Sequence, residues 1–300
     1  MALNYRADID GLRALAILPV VLFHAGVPSV SGGFVGVDVF FVISGFLITS
    51  LIQREIAENR FSYLSFWERR ARKLLAPIVA VTVITLLVGW FMLMPEDLRY
   101  LGQSVAGIAL FGSNLVFWKK SGYFAAEDET IPLLHSWSLA VEEQYYLVFP
   151  ALLFLLARTR PQTRSLWILA IAVISLGLSA FWTRISPDSA YYLLPSRGFE
   201  LMIGALLALN PPKSVRGRFT ADLMAAAGMT MIIATIIVFD ETTPFPRFAA
   251  LIPCLGTALL IRAGAPEGSV SARVLSLPPI VEVGKLSYSL YLWHWPIIVF

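Results

Sequence analysis

Residues 32–48 have the sequence GGFVGVDVFFVISGFLI, in which Asp38 is the one charged side chain. A helix needs about 20 mostly apolar residues to cross the hydrocarbon core of a bilayer. This stretch and the apolar residues that follow it therefore predict a membrane-spanning helix over roughly residues 34–52.

The whole chain has the same apolar character. It contains 300 residues, of which 57% are hydrophobic and 14% are charged, whereas soluble domains carry about 25% charged residues. Its mean hydropathy is +0.73. So few charges cannot cover the surface of a soluble protein, and the composition predicts a polytopic membrane protein. The net charge of +3 is typical of basic cytoplasmic loops and requires no nucleic-acid partner.

Apolar segments recur along the chain and predict an all-α helical bundle with about ten transmembrane helices. They cover approximately residues 11–27, 34–52, 74–94, 101–117, 137–157, 165–183, 191–209, 221–239, 246–262 and 286–300. The segment 101–117 is interrupted by polar side chains and could instead be re-entrant or buried in the bundle. The last segment reaches Phe300 after only about 15 apolar residues, so we expect a truncated final helix and a natural protein that continues.

Ionisable residues inside apolar segments are costly and mark a function by default. Arg13 and His24 are eleven residues apart in the first segment, so a helix places them on one face with about 16 Å of rise between them. Arg13 could be an interfacial anchor and His24 a core histidine, although we favour a functional role for His24. Asp38 needs a partner, either His24 or an arginine, and two alternatives stay open: a structural ion pair, or a carboxylate that orients His24.

Basic residues are concentrated in residues 53–73, which predicts a cytoplasmic loop. Within it, Arg69 and Arg72 are three residues apart and share a helical face, with Arg70 and Lys73 beside them. Guanidinium groups suit phosphate recognition. The alternative is that this cluster serves membrane topology alone.

The densest group of polar residues is HSWSLAVEEQYYLVFP, residues 135–150. Helical spacing places four of its hydrogen-bonding side chains on one face: His135, Ser138, Glu142 and Tyr146. Glu143 points about 100° away from that face. Such a face on a spanning helix is difficult to explain by structure alone and indicates a site.

Three further features are given structural interpretations. Arg197 and Glu200 are three residues apart and predict a buried ion pair. Tyr291 and His294 share a helical face, but the tryptophans beside them are typical of an interfacial aromatic belt, so His294 is left out of the predicted site. The single cysteine, Cys254, is interpreted as a small buried hydrophobe, and no metal site is predicted.

These motifs, in this order, resemble membrane acyltransferase family 3, the O-acetyltransferases of bacterial surface polysaccharides. The matching pieces are YRADIDGLRALAILPVVLFHAG, GGFVGVDVFFVISGFLI, the R-x-x-R of Arg69 and Arg72, the S-L-x-x-E-x-x-x-Y from Ser138 to Tyr146, and SYSLYLWHWP. They lie between residues 5 and 296, so the resemblance extends over essentially the whole chain.

The resemblance implies that residues 1–300 form a membrane acyltransferase domain in the bacterial inner membrane. It implies an acyl-CoA donor, usually acetyl-CoA, supplied from the cytoplasm, and no permanently bound cofactor. The acceptor would be a hydroxyl of a surface carbohydrate, such as the O-antigen of lipopolysaccharide, another polysaccharide or peptidoglycan. Similar proteins often continue into another helix and an extracytoplasmic SGNH-type domain, neither of which lies in this chain.

The predicted catalytic residues are His24, Asp38 and Glu142. Imidazole is a base near neutral pH, so His24 would deprotonate the acceptor hydroxyl or transiently carry the acyl group, and Asp38 or Glu142 would orient it. The predicted acyl-CoA-binding residues are Arg13, Arg69 and Arg72. The predicted supporting residues are His135, Ser138 and Tyr146. The alternative function is a transporter or flippase for a lipid-linked sugar, in which the same charges would line a translocation path.

Overall fold

The computed structural model describes residues 5–124, 131–210, 217–264 and 269–300. Over these ranges the chain is helical and contains no β-strand, which confirms the all-α prediction. The helices are α1 (Ala7–His24), α2 (Gly36–Ala57), α3 (Tyr63–Met92), α4 (Pro95–Ala109), α5 (Ser113–Phe124), α6 (Ser136–Leu156), α7 (Pro161–Ile185), α8 (Pro187–Tyr192), α9 (Leu194–Leu209), α10 (Arg218–Val238), α11 (Leu251–Ala263), α12 (Val270–Leu275) and α13 (Pro278–Val299).

Local sequence sets several of these helix starts. The helices α4, α7, α8 and α13 each begin with a proline, which is tolerated in the first turn because the N–H that it lacks has no intrahelical partner there. Ser62 precedes α3, and its side chain accepts a hydrogen bond from the backbone N–H of Ser65. Prolines and this N-cap therefore define where the apolar segments become helical.

Six stretches of described helix are long and apolar enough to cross a membrane. They are Gly33–Ala57, Tyr63–Met92, Ser136–Leu156, Pro161–Ile185, Pro187–Leu209 and Arg218–Val238. The prediction of about ten spans is therefore not confirmed. The predicted segment 246–262, for example, forms the 13-residue helix α11, which is shorter than the roughly 17 residues that a span requires.

The predicted segment 101–117 is not one helix. Its residues belong to α4 and α5, which pack against each other and are separated by a turn where Phe111 has a φ of 55°. The hydroxyl of Ser113 donates to the Ser136 carbonyl, and the side-chain amide of Asn114 donates to the Tyr192 carbonyl, both at 2.9 Å. Ser113 and Asn114 thus bond to the interior of the bundle, in agreement with the buried alternative, whereas Gln103 on α4 is exposed.

The helices α1 and α13 run side by side in the same direction. In their N-terminal halves the backbones approach so closely that a Cβ added to Gly284 would lie 1.7 Å from the carbonyl oxygen of Asp10. Near their other ends the rings of His24 and His294 lie 5.1 Å apart. This pairing brings residues from the two ends of the sequence to the same place.

The helices α2 and α9 also pack with their backbones in contact. A Cβ at Gly45 would lie 1.9 Å from the carbonyl oxygen of Leu201, and a Cβ at Gly204 would lie 2.0 Å from that of Val42. Small residues permit such close approach between helices in membranes. Glycine at these two positions therefore allows the interface to form.

The same interface contains a buried ion cluster, Arg197–Asp38–Glu200. Arg197 Nη2 lies 3.3 Å from Asp38 Oδ1, and Arg197 Nε lies 3.2 Å from Glu200 Oε1, with all three side chains at most 1% exposed. Aromatic rings surround the guanidinium at 5.3 to 5.8 Å; they belong to Phe41, Trp137, Tyr191 and Phe245. The predicted Arg197–Glu200 pair is confirmed, and Asp38 joins it from α2.

Replacing Gly204 by alanine should destabilise the bundle, because the new methyl group would overlap the backbone of α2. Overpacking of this kind costs about 1–3 kcal/mol, which would appear as a lower thermal unfolding midpoint of the protein in detergent. Gly177→Ala in α7 is the matched control, since nothing lies within 4 Å of its added Cβ. Equal midpoints for the two variants would contradict the close packing of α2 and α9.

Replacing Arg197 by methionine should destabilise the protein more than Gly204→Ala does, because two buried carboxyl groups would lose their counter-charge. Breaking a buried pair in this way costs about 3–5 kcal/mol. Arg218→Met is the control, since Arg218 is 60% exposed and lies 3.7 Å from Asp222, and an exposed pair contributes at most about 1 kcal/mol. Similar unfolding midpoints for the two variants would show that the cluster does not hold α2 to α9.

Candidate functional site

A cavity of about 560 Å³ lies between α1, α2, α3, α4, α6 and α13. Its volume is within the range of small-molecule sites, about 300–1,000 Å³. Apolar side chains of α2, α3 and α4 form most of its walls. Binding of a long ligand with an apolar middle section is therefore compatible with its shape and lining.

Three cationic side chains reach this cavity, namely Arg13 from α1 and Arg70 and Lys73 from α3. Arg13 Nη1 lies 3.4 Å from Asp10 Oδ1. The guanidinium of Arg70 lies over the ring of Tyr146, 3.7 Å from its centroid. The cavity lining thus carries positive charge that could contact an anionic ligand. Of the three predicted acyl-CoA-binding residues, Arg13 lines the cavity.

Arg69 and Arg72, the other two predicted acyl-CoA ligands, are not among the lining residues. Arg69 Nη2 lies 2.6 Å from Glu55 Oε1, and Arg72 Nη2 lies 2.6 Å from Glu68 Oε1. The Arg72 side chain is also 78% exposed. The predicted pair does share a side of α3, but the cavity lies on the side that carries Arg70 and Lys73.

The polar face predicted on α6 does border the cavity. Ser138, Glu142 and Tyr146 all line it, and so does Glu143, which was expected to point away. The two carboxylate oxygens of Glu142 accept hydrogen bonds from the Ser44 hydroxyl at 2.8 Å and from the Tyr146 hydroxyl at 3.1 Å. The structure therefore brings three of the four predicted α6 residues into one polar wall.

The three histidines of the chain form one cluster beside this wall. His24 Nδ1 lies 3.0 Å from His294 Nε2, and the ring of His135 lies 5.6 Å from that of His294. His135 and His294 are buried, whereas His24 is half-buried at the end of α1. Imidazoles in contact provide groups that can accept, hold and donate protons.

Tyr291 and Ser138 connect the cavity to the histidine cluster. Both side chains line the cavity, and their hydroxyl oxygens lie 2.6 Å apart. The Tyr291 hydroxyl also donates to the His135 carbonyl at 2.9 Å, and the Tyr291 ring lies 5.4 Å from that of His294. Tyr291 thus separates His135 and His294 from the cavity, and His24 contacts His294 beyond them.

The orienting carboxylate predicted for His24 is not found in the described chain. Asp38 belongs to the buried cluster with Arg197, and Glu142 is bonded to Ser44 and Tyr146. The partner of His24 is His294, which the sequence interpretation set aside. The scarcity of histidine and the shared face of Tyr291 and His294 were the signals that could have identified it.

The ion cluster also contains a possible set of metal ligands. Ligand atoms of Asp38, Glu200 and Cys254 lie within 4.8 Å of one another. However, the Arg197 guanidinium lies within 3.3 Å of both carboxylates and already supplies positive charge there. We therefore interpret the group as a structural ion cluster. Cys254 itself is buried, as expected.

The chain is similar in sequence to known O-acetyltransferases. The chain is 33% identical over 309 residues to the O-acetyltransferase OatA of Staphylococcus aureus strain NCTC 8325, covering 99% of this chain and 51% of the relative. The values are the same for OatA of strain MRSA252. This chain therefore spans about half the length of these relatives.

No solved structure matches this chain. A family model described as an acyltransferase domain matches residues 6–300, which is nearly the entire sequence. Together with the relatives, this match shows that the chain belongs to the acyltransferase family.

Proposed function

We propose that this chain is the membrane domain of an O-acetyltransferase that takes its acyl group from acetyl-CoA. The observation that carries the proposal is one cavity that has three cations and two carboxyl groups on its lining and three histidines behind its polar wall. A cationic site for phosphates and a nearby base are the two elements that such a reaction needs. Membership of the acyltransferase family favours this function over a lipid-linked sugar transporter.

The donor fits the cavity by its chemistry. Coenzyme A carries several phosphate charges on a long, flexible arm, and Arg13, Arg70 and Lys73 would bind those phosphates. The apolar walls would then hold the arm. With its phosphates at the cations, the thioester would lie toward Ser138 and Tyr291. The rise of about 16 Å from Arg13 to His24 along α1 suits a donor of this length.

The acceptor is proposed to be a hydroxyl of a cell-surface carbohydrate that approaches from the histidine end. His24 is the last residue of α1, and Ala25 and Gly26 after it are exposed. If the basic segment 53–73 faces the cytoplasm, as the positive-inside rule predicts, the donor enters from that side of the bacterial inner membrane. The acceptor then binds at the opposite side.

One acid–base residue is sufficient for both proton transfers of the proposed reaction. The hydroxyl oxygen of the acceptor attacks the thioester carbonyl carbon, so that a C–O bond forms and the C–S bond breaks. His24 accepts the hydroxyl proton and returns it to the sulfur of the departing coenzyme A, which leaves as a thiol. The Ser138 hydroxyl, which is hydrogen-bonded to the Tyr291 oxygen, would turn from it to donate to the oxyanion of the tetrahedral intermediate, while the Tyr291 proton stays on the His135 carbonyl.

Arg70→Ala should weaken the binding of acetyl-CoA, because it removes one of the cations that line the cavity. Loss of one hydrogen bond to a charged group is worth about 1.5–3 kcal/mol, which corresponds to an increase in Kd of roughly 10- to 150-fold. Calorimetry on the detergent-solubilised protein measures this. Arg72→Ala is the matched control on the exposed side of α3 and should bind nearly as the wild type does. If Arg72→Ala weakened binding more than Arg70→Ala, the proposed donor site would be wrong.

His24→Ala should abolish acyl transfer while leaving acetyl-CoA binding intact. Removal of a general base lowers the rate by about 10²- to 10⁴-fold. The assay follows release of coenzyme A and transfer of labelled acetyl groups to a polysaccharide acceptor in proteoliposomes. Transfer at the wild-type rate would remove His24 as a base and as an acyl carrier. Isolation of labelled acetyl groups on the wild-type protein, and their loss in His24→Ala, would identify it as the carrier.

A further inference from the structure

The contact between His24 and His294 restricts the protons that the two rings can carry. A hydrogen bond between ring nitrogens needs one donor and one acceptor, and His24 Nδ1 lies 3.0 Å from His294 Nε2. A neutral imidazole has a single N–H, on either Nδ1 or Nε2. Which ring donates therefore depends on whether the other nitrogen of His294, Nδ1, carries the proton.

The backbone of α13 fixes the proton on His294 Nδ1. His294 Nδ1 lies 2.7 Å from the carbonyl oxygen of Tyr291. A carbonyl oxygen can only accept a hydrogen bond, so His294 Nδ1 must carry the proton. His294 Nε2 then has the lone pair, and His24 Nδ1 must donate to it. As a result, the lone pair of His24 is on Nε2.

From this chain of hydrogen bonds we infer that His294 is a positioning residue, which holds His24 in the Nδ1–H tautomer and so keeps its Nε2 unprotonated and basic. The inference deepens the proposed function, because it assigns the reacting nitrogen of the proposed base. The partner of the base is an imidazole bound to a backbone carbonyl, in the place that a carboxylate occupies in a serine–histidine–aspartate triad.

The same hydrogen bonds are retained when His24 is protonated. When Nε2 takes the proton of the acceptor hydroxyl, Nδ1–H continues to donate to the lone pair of His294. His294 keeps its own proton on Nδ1, toward the carbonyl of Tyr291. No proton is transferred between the rings, and the hydrogen bond that the His24 cation donates to His294 becomes stronger.

The turn of α13 that carries His294 is fixed from two sides. The Tyr291 hydroxyl is bonded to Ser138 and to the His135 carbonyl. The indole N–H of Trp295 donates to the carbonyl of Ile131 at 2.8 Å, and its ring lies 4.7 Å from that of His24. These contacts explain how the His294 ring can keep one orientation.

Tautomers can be measured directly because the chain contains only three histidines. We would label histidine with ¹⁵N, reconstitute the wild-type protein in liposomes and record solid-state NMR spectra at a pH where the imidazoles are neutral. His24→Gln identifies the signals of residue 24. We expect His24 as the Nδ1–H tautomer, whereas neutral histidine in water favours Nε2–H. Finding wild-type His24 as Nε2–H would overturn the inference without reference to any enzyme activity.

Two substitutions at residue 294 test whether His294 sets the His24 tautomer and thereby kcat. His294→Phe keeps a ring but offers no acceptor, so His24 should change to Nε2–H. The kcat should fall, by less than the roughly 10²- to 10⁴-fold loss that removal of the base itself causes, and the Kd for acetyl-CoA should be unchanged. In His294→Gln, the amide oxygen can accept from His24 Nδ1 while its N–H donates to Tyr291. This variant should restore the Nδ1–H tautomer and part of kcat.

Phe23→Leu is the control, since the Phe23 ring lies 5.1 Å from that of His24 but has no hydrogen-bonding group. In this variant, the His24 tautomer and kcat should match those of the wild type. If His294→Phe also keeps the wild-type tautomer and kcat, the inference is wrong. If His24 is Nδ1–H in the wild type and changes in His294→Phe, the positioning role stands even if acetyl-CoA proves not to be the donor.

Discussion

The rest of the structure depends on the pairing of Arg197 with Asp38 and Glu200 inside an apolar bundle. A charge in a membrane protein is costly unless a counter-charge or a dipole lies within contact distance. Here one guanidinium contacts carboxyl groups from α2 and from α9 itself, and aromatic rings surround it. Because glycine backbones bring α2 and α9 into contact at the same interface, the charges meet where all three side chains are at most 1% exposed.

A second set of charged side chains lines the cavity. Arg13, Arg70 and Lys73 present cations to it, while Glu142 is held by two hydroxyl groups. The histidines are separate from both groups and lie behind Ser138 and Tyr291. Binding charge and proton-transfer groups are thus placed in different parts of one site, which suits a donor that is anionic at one end and reactive at the other.

Helical periodicity predicted much of this site because it depends only on the spacing of residues in one helix. The α6 face with Ser138, Glu142 and Tyr146 lines the cavity, and Arg13 reaches it from α1. Periodicity cannot tell which side of a helix meets a neighbour. For this reason the sequence selected Arg69 and Arg72 on α3, whereas Arg70 and Lys73 border the cavity. The count of about ten spans was not confirmed, because composition does not show how long each helix is. The helix α11, for example, is as apolar as a span but is too short to be one.

The amino-acid sequence by itself determined that this protein is an all-α membrane protein and an acyltransferase-family chain, and it identified His24 as a functional candidate. Those conclusions follow from composition, from spacing within single helices and from motif order, none of which requires knowing which helices contact each other. Only the tertiary structure decided the partners. It joined Asp38 to Arg197 and His24 to His294, residues separated by 159 and 270 positions. No local pattern encodes such a pair, because it exists only where α2 meets α9 and α1 meets α13.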